Sequence, residues 1–444
     1  MRVFSILLLC LPLLTACGGS DKPAIAEGNA VLCQQTSLNA RIGCELSRNY
    51  LWYREMTNVA PESITSATDY FHASLSPRDN FSFILTEQEY QDRFINAAYY
   101  GFGFASQRTD NSSALQVLYV YQQSSAAERG LKRGDKITEI EGISVSEWLS
   151  GLDSGRYSST DIYGPNQAGV VRNFVWKQPD GAQLRADMLK SRVITNTVLH
   201  RTVQQIADRK VGYLVFNSFI ELSELELEQS FQFFSEQQID DLILDLRYNS
   251  GGLIRVANQL SSHIAFPRLQ GKIFVRYQYN DKNSSRNNTV LFSPGAGSTV
   301  LNLPRVFVLT TPGSCSSSEL VINSMSPFVE VVQIGQATCG KPVGQIPTQI
   351  DNFRLFAINF QTLNALNFGD YFDGLLPSCS VSPRVTGDWG EQSDPLYAAA
   401  LDYIRLGRCP SVTSASASAT VAGILRQQAA SARNLPSWQL YNEQ

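Results

Sequence analysis

Asp241-Leu242-Ile243-Leu244-Asp245-Leu246-Arg247-Tyr248-Asn249-Ser250-Gly251-Gly252 reads as a strand running into a glycine-rich turn. Residues 242–246 are apolar except for Asp245, the near-continuous pattern of a strand buried on both faces. Working outward, Val211-Gly212-Tyr213-Leu214-Val215-Phe216 precedes it as a second strand, and Val306-Phe307-Val308-Leu309 and Val331-Val332-Gln333-Ile334 follow as two more. The amphipathic, acidic stretch from Ser223 to Gln237 predicts a helix between the first two strands. Strand, helix, strand repetition over residues 191–410 argues an α/β core with parallel pairing. The turn at Gly251-Gly252 exposes backbone N–H groups at a helix start, which suits an oxyanion or a phosphate. No Gly-Lys-Ser/Thr follows, so it is not a Walker loop.

Two more stretches carry chemistry. Gly313-Ser314-Cys315-Ser316-Ser317-Ser318-Glu319-Leu320 follows the 306–309 strand and opens a predicted helix reaching Met325. A serine at a strand-to-helix turn is exposed, with helix N–H groups aimed at it. Gly340-Lys341-Pro342-Val343-Gly344-Gln345 holds the last lysine of the chain. Alone, a serine run is usually a cap or loop and a lone lysine a surface charge.

Together the three stretches resemble the carboxyl-terminal processing, or tail-specific, peptidases, which are Ser-Lys enzymes. That family carries Asp-Leu-Arg-x-Asn-x-Gly-Gly, then a Ser-rich turn ending in Glu, then Gly-Lys. Its nucleophile lies three residues before the Glu and twenty-five before the Lys. Counting back from Glu319 and from Lys341 reaches the same residue, Ser316. The family also places a Gln four residues after the Lys, and Gln345 is there. Cys315, Ser317 in place of Ala, and Pro342 depart from the pattern. The resemblance covers roughly residues 45–405 and implies a serine endopeptidase with Ser316 as nucleophile, Lys341 as base and Gln345 as its orienting group. The Ser317 N–H and a backbone N–H at Gly251 or Gly252 would form the oxyanion hole. No cofactor and no metal are expected.

A lysine acts as a base only when neutral, so its pKa must fall from about 10.4, and burial in an apolar site lowers it. Phe328 and Val343 are candidate walls. Gln345 is neutral and can orient the amine without restoring its charge, as a carboxylate would.

Residues 86–190 differ in character. Tyr99-Tyr100-Gly101-Phe102-Gly103-Phe104 alternates aromatics and glycines, and a β-rich run follows from Leu115 to Tyr121. A short helix ends at Gly130, a turn falls at Gly134-Asp135, and a strand leads to a tight turn at Glu141-Gly142. This order resembles a bacterial-type PDZ domain. The resemblance implies that Gly101, Phe102, Gly103 and Phe104 form a carboxylate-binding loop beside which a peptide adds as a strand. Residues 151–172 read as a loop. Residues 31–85 carry helical patterning through Leu46, Tyr50 and Tyr53 and through Ile64, Ala67 and Tyr70, with Pro61-Glu62 suiting a first helical turn.

Met1 to Ala16 has a short positive start and an apolar run too short to span a bilayer. Leu14-Thr15-Ala16-Cys17 resembles the bacterial lipoprotein box, which implies cleavage before Cys17 and its lipidation. Gly18, not Asp, follows, implying outer-membrane sorting, with the protein anchored in the envelope and facing the periplasm. Residues 17–30 read as a linker, and residues 411–444 as a Ser/Ala-rich tail. Ser414-Ala415-Ser416-Ala417-Ser418 echoes the nucleophile turn, but no Glu or Lys follows at the required spacing.

The expected fold is therefore α/β and α+β multidomain: an N-terminal helical segment (31–85), a PDZ-like β-domain (86–190) and a ClpP/crotonase-like α/β peptidase core (191–410). Its partners would be a protein or peptide substrate and the membrane that holds the anchor. A net charge of −4 in 444 residues disfavours a nucleic-acid partner. Three histidines without a supporting motif weaken a Ser-His-Asp triad, and the cysteines lack metal-ligand spacing. Without Cys10 and Cys17, six cysteines remain, and export permits disulfides. Six allow fifteen connectivities. Proximity in sequence favours Cys33–Cys44, Cys315–Cys339 and Cys379–Cys409. A lipid-anchored PDZ scaffold with a silent core is the rival reading to an enzyme.

Overall fold

The computed structural model describes residues 33–91, 98–410 and 441–442. The signal, Cys17, the 17–30 linker and most of the tail, including Ser414 to Ser418, lie outside the described residues. Among the described residues no helix is long and apolar enough to cross a membrane.

A six-stranded sheet forms the centre, in the spatial order Val198–Ile206, Arg209–Phe216, Asp241–Asp245, Arg305–Thr310, Glu330–Gly335, Cys379–Ser380. The first two strands make an antiparallel hairpin, and every later pair is parallel. The Asp241–Asp245 strand is buried throughout. Leu242 and Leu244 pack into one core with helices Glu221–Gln237, Ile254–Leu269 and Ser317–Met325. Ile243 faces a second core roofed by helix Pro395–Leu406. Burial on both faces is why this strand could not alternate polar and apolar residues.

The segment expected to be PDZ-like forms its own sheet, ordered Phe104–Arg108, Leu115–Val120, Lys136–Ile140, Val171–Lys177, Gln183–Leu189. Phe102, Phe104, Leu131, Trp148, Phe174 and Trp176 make its core. Ala105, Leu118, Tyr119 and Tyr121 leave that core and join the second face of the central sheet. Glu141 (φ 55°) and Gly142 (φ 77°) make the tight turn joining Lys136–Ile140 to Ile143–Ser144. Residues 151–172 are not one loop. Ser158 and Asp161 form a capping box that starts helix Ser159–Tyr163, and strand Val171–Lys177 begins before the expected end.

In the N-terminal segment, Ser37 caps helix Leu38–Asn49 and Ser66 caps helix Ala67–Ser74. Pro61 and Glu62 lie in a turn, because Ser66 Oγ takes the Asp69 N–H and sets the helix start later. This segment has no separate core. Leu46, Tyr50, Trp52 and Phe71 share a cluster with Val343, Ile350, Leu355 and Ile358. Strand Phe83–Thr86 pairs with Phe353–Phe356. All three proximity pairings of cysteine are present as disulfides.

Candidate active site

The buried strand Arg305–Thr310 delivers the chain to the serine run, and helix Ser317–Met325 leaves it. Three of the four serines there are structural. Ser314 Oγ donates to the Leu246 carbonyl (2.8 Å), Ser317 Oγ to Gly252 (2.7 Å) and Ser318 Oγ to Asn249 (2.8 Å). These bonds lash the serine turn to the Gly251-Gly252 turn. The fourth, Ser316, is partly exposed and sits at φ 55°, ψ −110°. A non-glycine residue there costs on the order of 1–3 kcal/mol, and the surrounding bonds hold it.

Gly251 lies against Ser316. A Cβ on Gly251 would come 2.8 Å from the Ser316 Cβ and 2.9 Å from the Ser317 nitrogen. With φ 102°, the position excludes side chains on both counts. The Gly251 N–H donates to Asn249 Oδ1 (2.9 Å). Gly252 bridges Phe219 through the flanking groups, Gly251 O and Leu253 N, which leaves its own carbonyl for Ser317 Oγ.

Glu319 joins the two halves of the site. It is fully buried, and its Oε2 accepts both the Ser316 N–H (2.8 Å) and the Lys341 N–H (2.9 Å). Its Oε1 accepts from Gly340 N–H (2.8 Å) and Thr338 Oγ1 (2.6 Å). One oxygen thus fixes the backbones of both expected dyad members. Burial pushes the Glu319 carboxyl up, and the four donors oppose that. In the sequence Glu319 stands out only by its spacing from Ser316. The Cys315–Cys339 disulfide makes a second link between the same two segments. The sulfurs and Glu319 lie within 4.8 Å of one another, but the disulfide leaves no thiolate there to bind a metal.

The Lys341 amine donates to Gln345 Oε1 at 3.0 Å. Gln345 Nε2 donates to the carbonyls of Phe81 (2.7 Å) and Phe356 (2.9 Å), so both amide hydrogens are engaged and the oxygen must face the lysine. The residue as a whole is half-buried, but its amine lies within protein, and burial pulls its pKa down to about 8. The charges of Asp79 and Glu319 act in the opposite direction.

Of the two candidate walls, Phe328 instead packs on Phe292 and the core of the central sheet, whereas Val343 belongs to the cluster against which Phe81 also packs. The Phe81 ring lies 5.6 Å from the amine. Phe81 and Asp79 come from the N-terminal segment, with no motif to announce them. Asp79 accepts from Tyr50 Oη (2.7 Å) and from the N–H groups of Phe81 and Ser82. It also lines an open cavity of about 470 Å³ with His72, Leu75 and Ser82.

Two of the three histidines serve elsewhere. His263 stacks on Phe231 and bonds the Thr299 carbonyl, and His200 lies against Tyr213. The Gly101–Phe104 stretch turns at Gly103 (φ 94°), with both phenylalanine rings buried in the core of the smaller sheet.

A buried charge cluster ties that smaller sheet to the motif strand. Arg247 Nε donates to Asp245 Oδ1 (2.9 Å) and its Nη1 to Asp394 Oδ2 (2.6 Å). Arg133, from the turn before Gly134, reaches the same Asp394 oxygen (3.1 Å), the Tyr248 hydroxyl (3.2 Å) and the Leu118 carbonyl (2.9 Å). Its guanidinium also lies 4.0 Å from the Trp389 ring centre.

Residues 210–373 match peptidase family S41, and residues 37–83 match the peptidase S41 N-terminal domain. The chain is 24% identical over 285 residues to carboxyl-terminal-processing peptidase 3, chloroplastic, of Arabidopsis thaliana, covering 62% of this chain and 52% of that one. It thus spans about half the length of that plant relative. A carboxyl-terminal-processing protease of Synechocystis is 22% identical over 363 residues, covering 80% of this chain and 78% of the relative. A crystal structure of an S41 protease from Bacteroides fragilis superposes with TM-score 0.68 at 25% identity, covering 82% of this chain and 97% of that one.

Proposed function

From the premise that the chain belongs to peptidase family S41, the carboxyl-terminal-processing peptidases, we propose that it is a serine endopeptidase working through a Ser316/Lys341 dyad. The reading rests on one observation above the others: Glu319 Oε2 holds the Ser316 and Lys341 backbones together, beside an amine whose pKa lies near 8. At neutral pH a useful fraction of such an amine is neutral, and an ordinary lysine's is not. Gln345 takes one amine hydrogen, leaving the lone pair for the serine hydroxyl. Lys341 removes the Ser316 proton as Oγ attacks the peptide carbonyl, then returns it to the leaving amine. Water, deprotonated by the same amine, hydrolyses the acyl-enzyme. The oxyanion donors are the Ser317 N–H and the Gly252 N–H, since Gly251 already donates to Asn249. Loss of such a donor costs about 2.7–4 kcal/mol of transition-state stabilisation.

The substrates proposed are unstructured exported proteins, whose tails the PDZ-like sheet takes by strand addition, with Cys17 lipidated and the enzyme facing the periplasm. Purified wild type should cleave an unstructured protein, and Ser316→Ala should not. Equal cleavage by both would remove Ser316 from the chemistry, and no cleavage by wild type would favour a binding scaffold. Mass spectrometry of the mature N-terminus tests the anchor: an acylated Cys17 is expected, and a free thiol there would refute it.

A further inference from the structure

The sheet of the PDZ-like segment carries one more strand. Tyr441–Asn442 pairs antiparallel with Phe104–Arg108, Tyr441 opposite Ser106 and Asn442 opposite Ala105. On its other side Phe104–Arg108 pairs with Leu115–Val120, so the tail residues sit on the outer edge of that sheet. This edge strand starts directly after the Gly103 turn. The antiparallel register runs the added strand towards that turn, the direction in which a peptide would have to enter to reach the turn's backbone N–H groups.

We propose that this chain's own segment at 441–442 is the resident occupant of the peptide-binding edge, and that a substrate tail must displace it. The proposal rests on the reading of that edge as the peptide site. Strand addition is driven by main-chain hydrogen bonds, so a self-segment competes with no need for a particular side-chain motif. An edge strand left open also invites pairing with other chains, and a tethered strand covers it. Thirty residues of sequence, 411–440, connect the segment to the core. Thirty residues can span at most about 100 Å, ample to cross a domain. Tethering makes the pairing intramolecular, so even a weak strand keeps the edge occupied while a tighter tail still displaces it.

The test uses the full chain with Ser316→Ala, so that binding is measured without cleavage, compared with the same chain carrying Tyr441→Pro and Asn442→Pro. Proline removes the donors a ladder needs. The probe is a fluorescent peptide of residues 435–444, followed by anisotropy. The double-proline protein should bind it at least tenfold more tightly, and amide exchange at residues 104–108 should become faster. A chain ending at Pro410 should match the double-proline protein, since it retains helix Pro395–Leu406 and the Cys379–Cys409 bridge. Unchanged peptide affinity and unchanged exchange in both variants would overturn the proposal. Exchange protection that depends on protein concentration would also overturn it, by assigning the strand to a second copy. In the Ser316-containing background, removing the strand should raise kcat/KM for an unstructured substrate. If the binding results hold and no cleavage is seen, self-occupancy stands and the peptidase reading falls. If cleavage holds and the binding results do not, the reverse follows.

Discussion

At the residue scale the question is which protonation state Lys341 holds. Activity should rise with pH as the amine loses its proton, with half-maximal kcat/KM near its pKa of about 8. Asp79 favours the ammonium form by its charge, so Asp79→Asn should move the profile to lower pH. A profile falling from pH 6 to 9, or an unmoved midpoint in Asp79→Asn, would contradict this. Stability should rise with pH as well, over a higher window. The folded value lies below the ordinary 10.5, so protonating Lys341 penalises the fold at and below pH 8, and the penalty fades as pH climbs towards 10.5. Lys341→Met should therefore be inactive yet melt higher than wild type at pH 7, with the gain shrinking by pH 10. Ser316, Lys341 and Gln345 were legible because spacing along the chain fixes them relative to Glu319. Phe81 and Asp79 were not, because they reach the amine only through tertiary packing.

At the scale of elements, two devices join the nucleophile turn to the lysine turn, and they should separate experimentally. Glu319→Gln keeps the shape but turns an NH₂ towards N–H groups that need an acceptor. Unsatisfied buried donors cost about 1–3 kcal/mol each and do not simply add. The variant should melt lower and lose kcat more than it gains KM, because the misplaced parts are those of the chemistry. Cys315→Ala with Cys339→Ala opens a loop of sequence separation 24, worth about 3 kcal/mol in chain entropy. With Glu319 intact, that variant should lose stability and keep most of its kcat. Thermal melts and steady-state kinetics decide it, and equal kcat losses in both would deny the carboxylate its separate role. Long apolar strands were readable from composition, since double-sided burial leaves no alternation to confuse. The Val198–Ile206 strand was missed because its His, Arg, Thr and Gln residues are half-exposed at the sheet's edge. Helix Ser159–Tyr163 was missed because five residues hold no period, and only its Ser158/Asp161 cap marks it.

For the whole molecule, the informative feature is a carboxylate shared between two segments that sequence reading treated as separate domains. Asp394 takes Arg247 from the turn after strand Asp241–Asp245 and Arg133 from a turn of the smaller sheet on the same oxygen. Neither arginine announces the pairing, because 261 residues separate Arg133 from Asp394 and burial, not spacing, selects the partners. Buried ion pairs contribute little net stability when intact, but removing one partner is costly if it strands a charge. Here Arg133→Met strands one, since Arg247 would be left as the single positive charge facing both Asp245 and Asp394. The stability loss should therefore approach the roughly 3–5 kcal/mol of a pair broken outright. Activity should suffer as well. Arg133 also holds the Tyr248 hydroxyl, and the next residue, Asn249, supports both Gly251 and Cys315 through its side-chain and main-chain oxygens. Loosening Tyr248 thus loosens the oxyanion turn against the nucleophile turn. Arg133→Met should lower kcat by tenfold or more with a midpoint of pH dependence unchanged from wild type, because Lys341, the proposed base, is untouched. Wild-type kcat in that variant would mean the PDZ-like sheet is tethered to the core without governing it.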